Sequence, residues 1–490
     1  MEIMDKSKQK SIEQLIPSEV LNAWQILIKA GFKVYLVGGC VRDYLLKRKI
    51  KDWDLATNAT PEDILKIFGD KAYYTNQFGT VGLKSDEFII EITTFRREGR
   101  YKDFRHPEKV DFVDSLEEDL RRRDFTINAL ALSFDGQIID MFNGLNDLRN
   151  KIIRCVGDPR DRFREDALRM MRAIRFACQL SFNIEDETFE AIKENANLIR
   201  YISWERIRDE FTKIIMTKEA MKGIELLKEA GLLIEILPEL LQGDGVTQNK
   251  HHKYTVYEHN IRSLDYAAKK NYSLEVRLAS LLHDIGKPLT KQGEGPDCTF
   301  YNHEIVGAKM ARKILERFRY PKEIVDKVSH LIRHHMFYFD LEIVTEAAIR
   351  RFVNRIGVGN LESLFQLREA DRIGSGVPKA EPYRLRKLKF LIAKVLSEPS
   401  ISLKNLKING HDILSLGERE GPRVGWILKS LLEEVIDDPT KNNREILINR
   451  AKELMQLSDD ELKERASRGE EKQKEIERRL EEDLKKHFNI

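Results

Sequence analysis

The chain changes character at Gly157-Asp158-Pro159. Upstream, apolar residues come in strand-length runs: KVYLVGG from Lys33, TVGLK from Thr80, FIIEITTF from Phe88, KVDFVD from Lys109, and the pair LALSF and QIIDMF. The last two are joined by Asp135-Gly136, a hairpin signal because the tight turn needs positive φ at its centre. An apolar helical stretch from Val20 to Ala30 ends at Gly31, and the acidic KDWDLAT reads as a loop. Downstream, helical periodicity takes over, with caps expected at Ser203 and Thr217 and breaks at Gly357 and Gly359. Pro238 with the polar run Gln242 to Lys253, and then Pro378 to Pro382, read as boundaries. At roughly 150 residues per domain the 490 residues make about three domains. The pattern predicts an α+β chain: a small mixed sheet over 1–155, then all-helical regions over 156–240, 241–380 and 381–490.

Composition narrows the function classes. No apolar run approaches the ~18 residues a membrane span needs, and MEIMDKSKQK is not followed by an apolar core, so neither a span nor a secretory leader is expected. Cys40, Cys155, Cys178 and Cys298 are scattered without a C-x-x-C pair, as in a reducing cytoplasm. With 84 Lys+Arg against 81 Asp+Glu, any polyanion site must come from local clusters. The segment from Ser458 is almost purely charged and reads as a solvated helix.

The first such cluster follows the first strand: Gly38-Gly39, Arg42-Asp43, then Asp52-x-Asp54. Alternate residues of an extended segment share a side, so Asp52 and Asp54 converge. Two converging carboxylates call for a cation, and hard oxygen ligands with substrate phosphates suit Mg2+. The glycines let backbone N–H groups approach a phosphate, and Arg42 offers a fork for its oxygens. Glu91 is a candidate third carboxylate. Together these are the parts of a metal–triphosphate site for nucleotidyl transfer.

LVGGCVRDYLLKRKIKDWDLAT resembles motif A of the class II tRNA nucleotidyltransferases, the CCA-adding enzymes and bacterial poly(A) polymerases. RRRDFTINAL (Arg121 to Leu130) resembles their motif B, REDALRMMRAIRF (Arg164 to Phe176) the motif that selects the incoming base, and INGHDILSLGEREGPRVGWIL the C-terminal region of the bacterial CCA-adding branch. The resemblance implies a polymerase-β-like head, then neck, body and tail. It implies contact of Arg123 with the triphosphate, with Asp124 and Asn128 fixing the sugar or nearby loops. The polar stretch Arg97 to Lys109 resembles the loop of enzymes that add the terminal A.

Asp166, Arg169, Arg172 and Arg175 recur every three residues in what reads as one helical run, with Asp166 and Arg169 as neighbours. Cytosine and adenine both show an amine donor beside a ring-nitrogen acceptor. Asp accepts from the first and Arg donates to the second, whereas uracil and guanine show the opposite order. The resemblance assigns Asp166 and Arg169 this role and places Arg172 and Arg175 near the nucleotide.

A third set lies further on: His259, His283-Asp284, His303, His334-His335 and Asp371. In this order it resembles the HD phosphohydrolase superfamily. Imidazoles with carboxylates suit Mn, Ni, Fe or Zn, which can activate water against a phosphoester. His251-His252 reads as surface.

The expected function is template-independent addition of C, C and A from CTP and ATP to the 3′ end of tRNA, with release of pyrophosphate. Basic helices over Arg200–Arg208 and Tyr383–Lys394 are the expected contacts to the RNA backbone. Rival readings are addition of A alone or CC alone, a poly(A) polymerase, and an HD phosphohydrolase with an RNA-binding head. The near-zero net charge, the histidine set and the C-terminal region weigh against the polymerase.

Overall fold

The computed structural model describes residues 16–466, apart from 77–78, 86–87, 100–108, 250–252, 340–343 and 398–402. The start of the chain, the interior of the Arg97–Lys109 stretch, His251-His252 and the end of the charged tail therefore lie outside the described residues. The chain divides into two compact units, Met1–Leu241 and Gln242–Ile490.

The first unit is built on a seven-stranded mixed sheet. Its strands are β1 (Val34–Val37), β2 (Trp53–Thr57), β3 (Ala72–Asn76), β4 (Thr80–Lys84), β5 (Ile89–Thr94), β6 (Leu130–Leu132) and β7 (Ile138–Asp140), in the order β3-β4-β5-β2-β1-β6-β7. Among the described residues of this sheet only β2 and β5 run parallel, and their register sets Asp54 opposite Glu91. Helix α1 (Ser18–Lys29) is tied to β1 by Trp24, whose Nε1 donates to the Val34 carbonyl at 3.0 Å. Val37, Ala56, Phe95, Ala129 and Ala131 form a buried core beneath one side of the sheet. Burying the valine or phenylalanine contributes about 1.5–3 kcal/mol of transfer free energy, and each alanine methyl about 0.8 kcal/mol.

KDWDLAT is a correction. It holds a central strand, not a loop, because Trp53, Leu55 and Ala56 bury against neighbours on both sides while Asp54 faces out. KVDFVD does form a strand, Val110–Phe112, but it pairs with Arg96–Glu98 in a separate two-stranded ladder. This ladder closes the base of the Arg97–Lys109 stretch, with Gly99 N donating to the Lys109 carbonyl at 2.9 Å.

Two helices are inserted among the strands, α2 (Gly39–Leu45) between β1 and β2 and α3 (Leu116–Arg121) between β5 and β6; after the sheet come α4 (Pro159–Glu165), α5 (Leu168–Leu180) and α6 (Trp204–Ile215). Asp158 caps α4 by accepting from Arg160 N. The single helix expected across Asp166 to Arg175 is instead two. Asp166 has φ −140° and ψ 103° and terminates α4 before α5 begins. Thr217 is not an N-cap; its hydroxyl donates back to the Ile214 carbonyl at the end of α6.

The second unit is helical. Helices α7 (Val256–Lys269), α8 (Leu274–Leu282), α9 (His303–Arg317), α10 (Lys322–His334) and α11 (Val358–Gly374) pack around the histidine set. Gly359 lies inside α11, so only Gly357 breaks the helix. A small core of Ile413, Ile427, Leu431, Val435, Leu447, Ala451 and Leu454 follows. The charged segment joins it: Asp459–Ala466 is helical and Leu462 is fully buried. Among the described residues no helix is long and apolar enough to cross a membrane.

Candidate active site

The turn from β1 into α2 puts Gly38-Gly39 beside the start of β2. Gly38 has φ +79°, and a Cβ there would lie 2.7 Å from Arg123 Nη1 and 3.8 Å from Asp54 Oδ2. Glycine is therefore required both by backbone conformation and by close approach. Asp52 is exposed and Asp54 half-buried at the start of β2, with Trp53 turned into the core between them. Burial pushes the Asp54 carboxyl up to about 6; Arg123 opposes this, and the Glu91 and Asp52 carboxylates add to it. This concentration of negative charge fits a divalent cation, with Asp52 and Asp54 as its oxygen ligands.

Both aspartates line a cavity of about 530 Å3 that also receives Gly38, Gly39, Arg123, Asp166, Arg169 and Arg172. The carboxylate pair and the residues expected to select the base thus line one chamber. Glu91 stands opposite Asp54 on β5 but is exposed and outside this lining. Arg42 is not a free fork. It is buried, pairs with both oxygens of Asp43 at 3.0 and 2.9 Å, and donates to Asn128 Oδ1 at 2.7 Å. Asn128 in turn donates to Asp124 at 2.9 Å, and Asp124 receives Arg172 Nε and Nη2 at 2.9 and 2.7 Å. Against burial, Arg172 and Asn128 hold the Asp124 carboxyl well below the usual carboxylate range. Asp124 and Asn128 therefore brace α5 and the α2 arginine within the protein.

Asp166 and Arg169 are not paired through their side chains. Arg169 is taken by Glu165 at 2.5 Å and by the carbonyls of Arg122 and Arg162. Asp166 receives Arg206 from α6 instead. Glu210, one turn on, lies 3.8 Å from Arg172 and 2.9 Å from Arg175. Arg175 also stacks 4.1 Å over the Phe176 ring. Arg206 and Glu210 were not singled out from the sequence as part of this site; the basic segment Arg200–Arg208 reads as an RNA face, and nothing in its spacing shows that one arginine turns inward.

In the second unit, His259 Nε2 lies 2.9 Å from His283 Nε2, 3.1 Å from Asp284 Oδ2 and 3.4 Å from Asp371 Oδ1. His303 and His335 approach the other Asp284 oxygen at 3.3 and 3.7 Å. All six are buried. His283, His303 and His335 each use Nδ1 on a backbone carbonyl, which turns Nε2 toward the centre. Two overlapping ligand sets result, His259–His283–Asp284 and Asp284–His303–His335. Asp284 Oδ1 and His303 Nε2 are buried without a hydrogen-bond partner, as a cation between them would require. Gly286 lets this segment pack against α9: a Cβ there would meet the His303 carbonyl at 2.5 Å and Gly307 N at 2.6 Å.

His334 is a correction. Adjacent helical residues point about 100° apart, so only one of the His334-His335 pair faces the centre. His334 packs against His330, ring centroids 4.6 Å apart, and burial with the His330 charge pushes it down to about 3. Lys287, unremarked in the sequence, donates to Asp284 Oδ2 at 2.6 Å and to Gln248 at 2.7 Å. The HDIGK spacing, one helical turn from aspartate to lysine, carried that signal.

Residues 34–154 match the poly A polymerase head domain, 181–243 the probable RNA and SrmB-binding site of polymerase A, and 256–373 the HD domain. The CCA-adding enzyme of Lactobacillus delbrueckii subsp. bulgaricus is 36% identical over 418 residues, covering 85% of this chain and 93% of its own length. That of Ligilactobacillus salivarius is 36% identical over 449 residues, covering 91% and 99%. Among solved structures, the Bacillus stearothermophilus CCA-adding enzyme in complex with CTP aligns with TM-score 0.68 and 31% identity over 89% of this chain and 96% of its own. By its two-aspartate head, its helical remainder and these relatives, this chain belongs to the family of CCA-adding enzymes, class II nucleotidyltransferases, and carries an HD domain.

Proposed function

We propose that this protein adds C, C and A, from CTP and ATP, to the 3′ end of tRNA in the cytoplasm. One observation carries the reading: Asp52 and Asp54 open onto the same cavity as Asp166 and Arg169, which supports one nucleotide spanning a phosphate end and a base end there. Mg2+ held by Asp52 and Asp54 would neutralise the triphosphate and make the attacking hydroxyl more acidic. Gly38 keeps the backbone open beneath the phosphates, and Arg123, laid over it, offers a guanidinium to their oxygens. The 3′ oxygen of the RNA forms a bond to the α-phosphorus as the bond to the bridging oxygen breaks, and pyrophosphate leaves. Asp166 accepts from the exocyclic amine of cytosine or adenine, and Arg169 donates to the ring nitrogen. A wrong base leaves these charged groups facing like partners, which costs a few kcal/mol. RNA would be held by shape and phosphate contacts, so tRNAs of any sequence are accepted.

The histidine cluster supports a second reading for the other unit. Its orphaned, buried ligand atoms favour a bound transition metal (Mn, Ni, Fe or Zn) held by His259, His283, Asp284, His303, His335 and Asp371. Bound there, the metal would supply an activated water for phosphoester hydrolysis.

Incubation with tRNA lacking its last three nucleotides and each labelled NTP tests the first reading. CTP incorporation followed by ATP, stopping at three residues, is the expected result. Long A tails identify a poly(A) polymerase, and A alone or CC alone a narrower enzyme. Absence of incorporation with release of phosphate overturns the reading in favour of the hydrolase.

A further inference from the structure

We infer that Arg206 is a specificity-determining positioning residue: it fixes the Asp166 carboxylate so that one acceptor site is left for the incoming base. The inference rests on the reading of Asp166 as base selector. Asp166 lies in the break between α4 and α5, with extended backbone, so no helix rotamer holds its side chain. Its orientation comes from two partners instead. Oδ1 accepts from Leu168 N at 3.1 Å and from Arg206 Nη1 at 3.2 Å, while Oδ2 accepts from Arg206 Nη2 at 2.7 Å. An ionised carboxylate has about four acceptor sites. Three are filled, two of them on Oδ1, so the free one is on Oδ2. One site matches one amine N–H.

The arrangement is a bidentate fork, which fixes the carboxylate plane as well as its place; a lysine would leave the plane free. Both residues line the nucleotide cavity, and their side chains are only 27% and 17% exposed. Arg206 itself sits on the regular helix α6, one turn before Glu210, which lies against Arg172 and Arg175. A single rigid helix therefore sets the carboxylate that accepts from the base and the arginines beside it. Without the fork, Asp166 can rotate, present other lone pairs, or swing away, and an edge that offers a carbonyl is no longer rejected.

The test compares kcat/KM for CTP and UTP on truncated tRNA in R206A, R206K and D166A. Arg206→Ala is expected to raise the UTP-to-CTP ratio roughly tenfold or more, the scale of one lost positioned hydrogen bond. Arg206→Lys, which keeps the charge pair and the fold, is expected to fall between it and wild type. A purely structural salt bridge would lower both rates together and leave the ratio unchanged; that outcome in both Arg206 variants, with D166A relaxed, overturns the role of Arg206 alone. Strict selection retained in D166A overturns the reading of Asp166 beneath it.

Discussion

At the scale of single residues, the site is set by a few side chains whose chemistry has no substitute. Asp54→Asn keeps size and shape but removes a charge from the carboxylate group around β2. Incorporation of CTP and ATP should fall by at least about a thousandfold, the scale of a lost electrostatic catalytic group. Because Asp54 is crowded by Glu91 and Asp52, the melting temperature should hold or rise slightly. Near-normal incorporation would sink the assignment. Gly38→Ala tests the opposite kind of residue, one defined by what it lacks. At φ +79° and ψ −134°, outside the left-handed helical well, an alanine costs on the order of 1–3 kcal/mol, and its methyl would displace Arg123. We expect a melting point a few degrees lower and a loss of incorporation larger than that destabilisation explains, measured well below the transition. Asp52, Asp54 and Gly38 were legible because their spacing along one strand and one turn is the geometry itself. Arg206 and His334 were not. Whether a helical side chain faces a site depends on which face the tertiary packing turns inward, and a basic segment or an HH pair reads the same either way.

Elements fail to read for a different reason. β2 is short, preceded by Asp52 and carrying Asp54, so it lacks the alternating signature of a half-buried strand; its place between β1 and β5 makes it one. The Asp166 break was hidden because arginines at every third position suit a continuous helix, and only the contacts to α6 show the chain leaving it. The strands with clean apolar runs, and the Asp135-Gly136 hairpin with Gly136 at φ +86°, were plain from the sequence. One buried tie between elements is Asp124. It joins the turn before β6 to α5 through Arg172 and Asn128. Its folded carboxyl is held well below the value of about 3.9 that it recovers on unfolding. Between those two values the unfolded chain binds the extra proton, so stability rises with pH there. The contribution is complete above about pH 5 and is lost progressively as pH falls below 4. Asp124→Asn should lower stability at pH 7 by roughly 2 kcal/mol, since it removes the carboxylate that Arg172 grips bidentately and leaves Glu210, at 3.8 Å, as the nearer remaining counter-charge. It should also flatten the fall in melting temperature between pH 5 and pH 3 relative to wild type. An equal acid slope in the two proteins would refute the linkage.

On the scale of the whole molecule, two sites of different chemistry are each assembled within one compact unit. The lining around Asp54 runs from Gly38 to Arg206, and the histidine cluster from His259 to Asp371, on either side of the division at Leu241. One presents carboxylate oxygens beside a glycine turn, the other imidazoles around a shared aspartate, donor sets that suit hard and borderline cations respectively. Loss of one ligand set should therefore leave the other intact. His283→Ala removes a ring that approaches both His259 and Asp284. Measured by elemental analysis after dialysis against trace Mn, Ni, Fe or Zn, bound transition metal should drop at least about tenfold, in line with loss of a ligand. Any metal-dependent hydrolysis of a phosphomonoester should go with it, while CTP and ATP incorporation in Mg2+ stays within about twofold of wild type. His334→Ala is the matched control, because its ring packs on His330 rather than at the centre; metal content should not change. If His334→Ala lost the metal and His283→Ala kept it, the ligand assignment would be reversed. If His283→Ala abolished nucleotide incorporation in a folded protein, the independence of the two chemistries would fail, and the HD domain would have to be counted as part of the transferase.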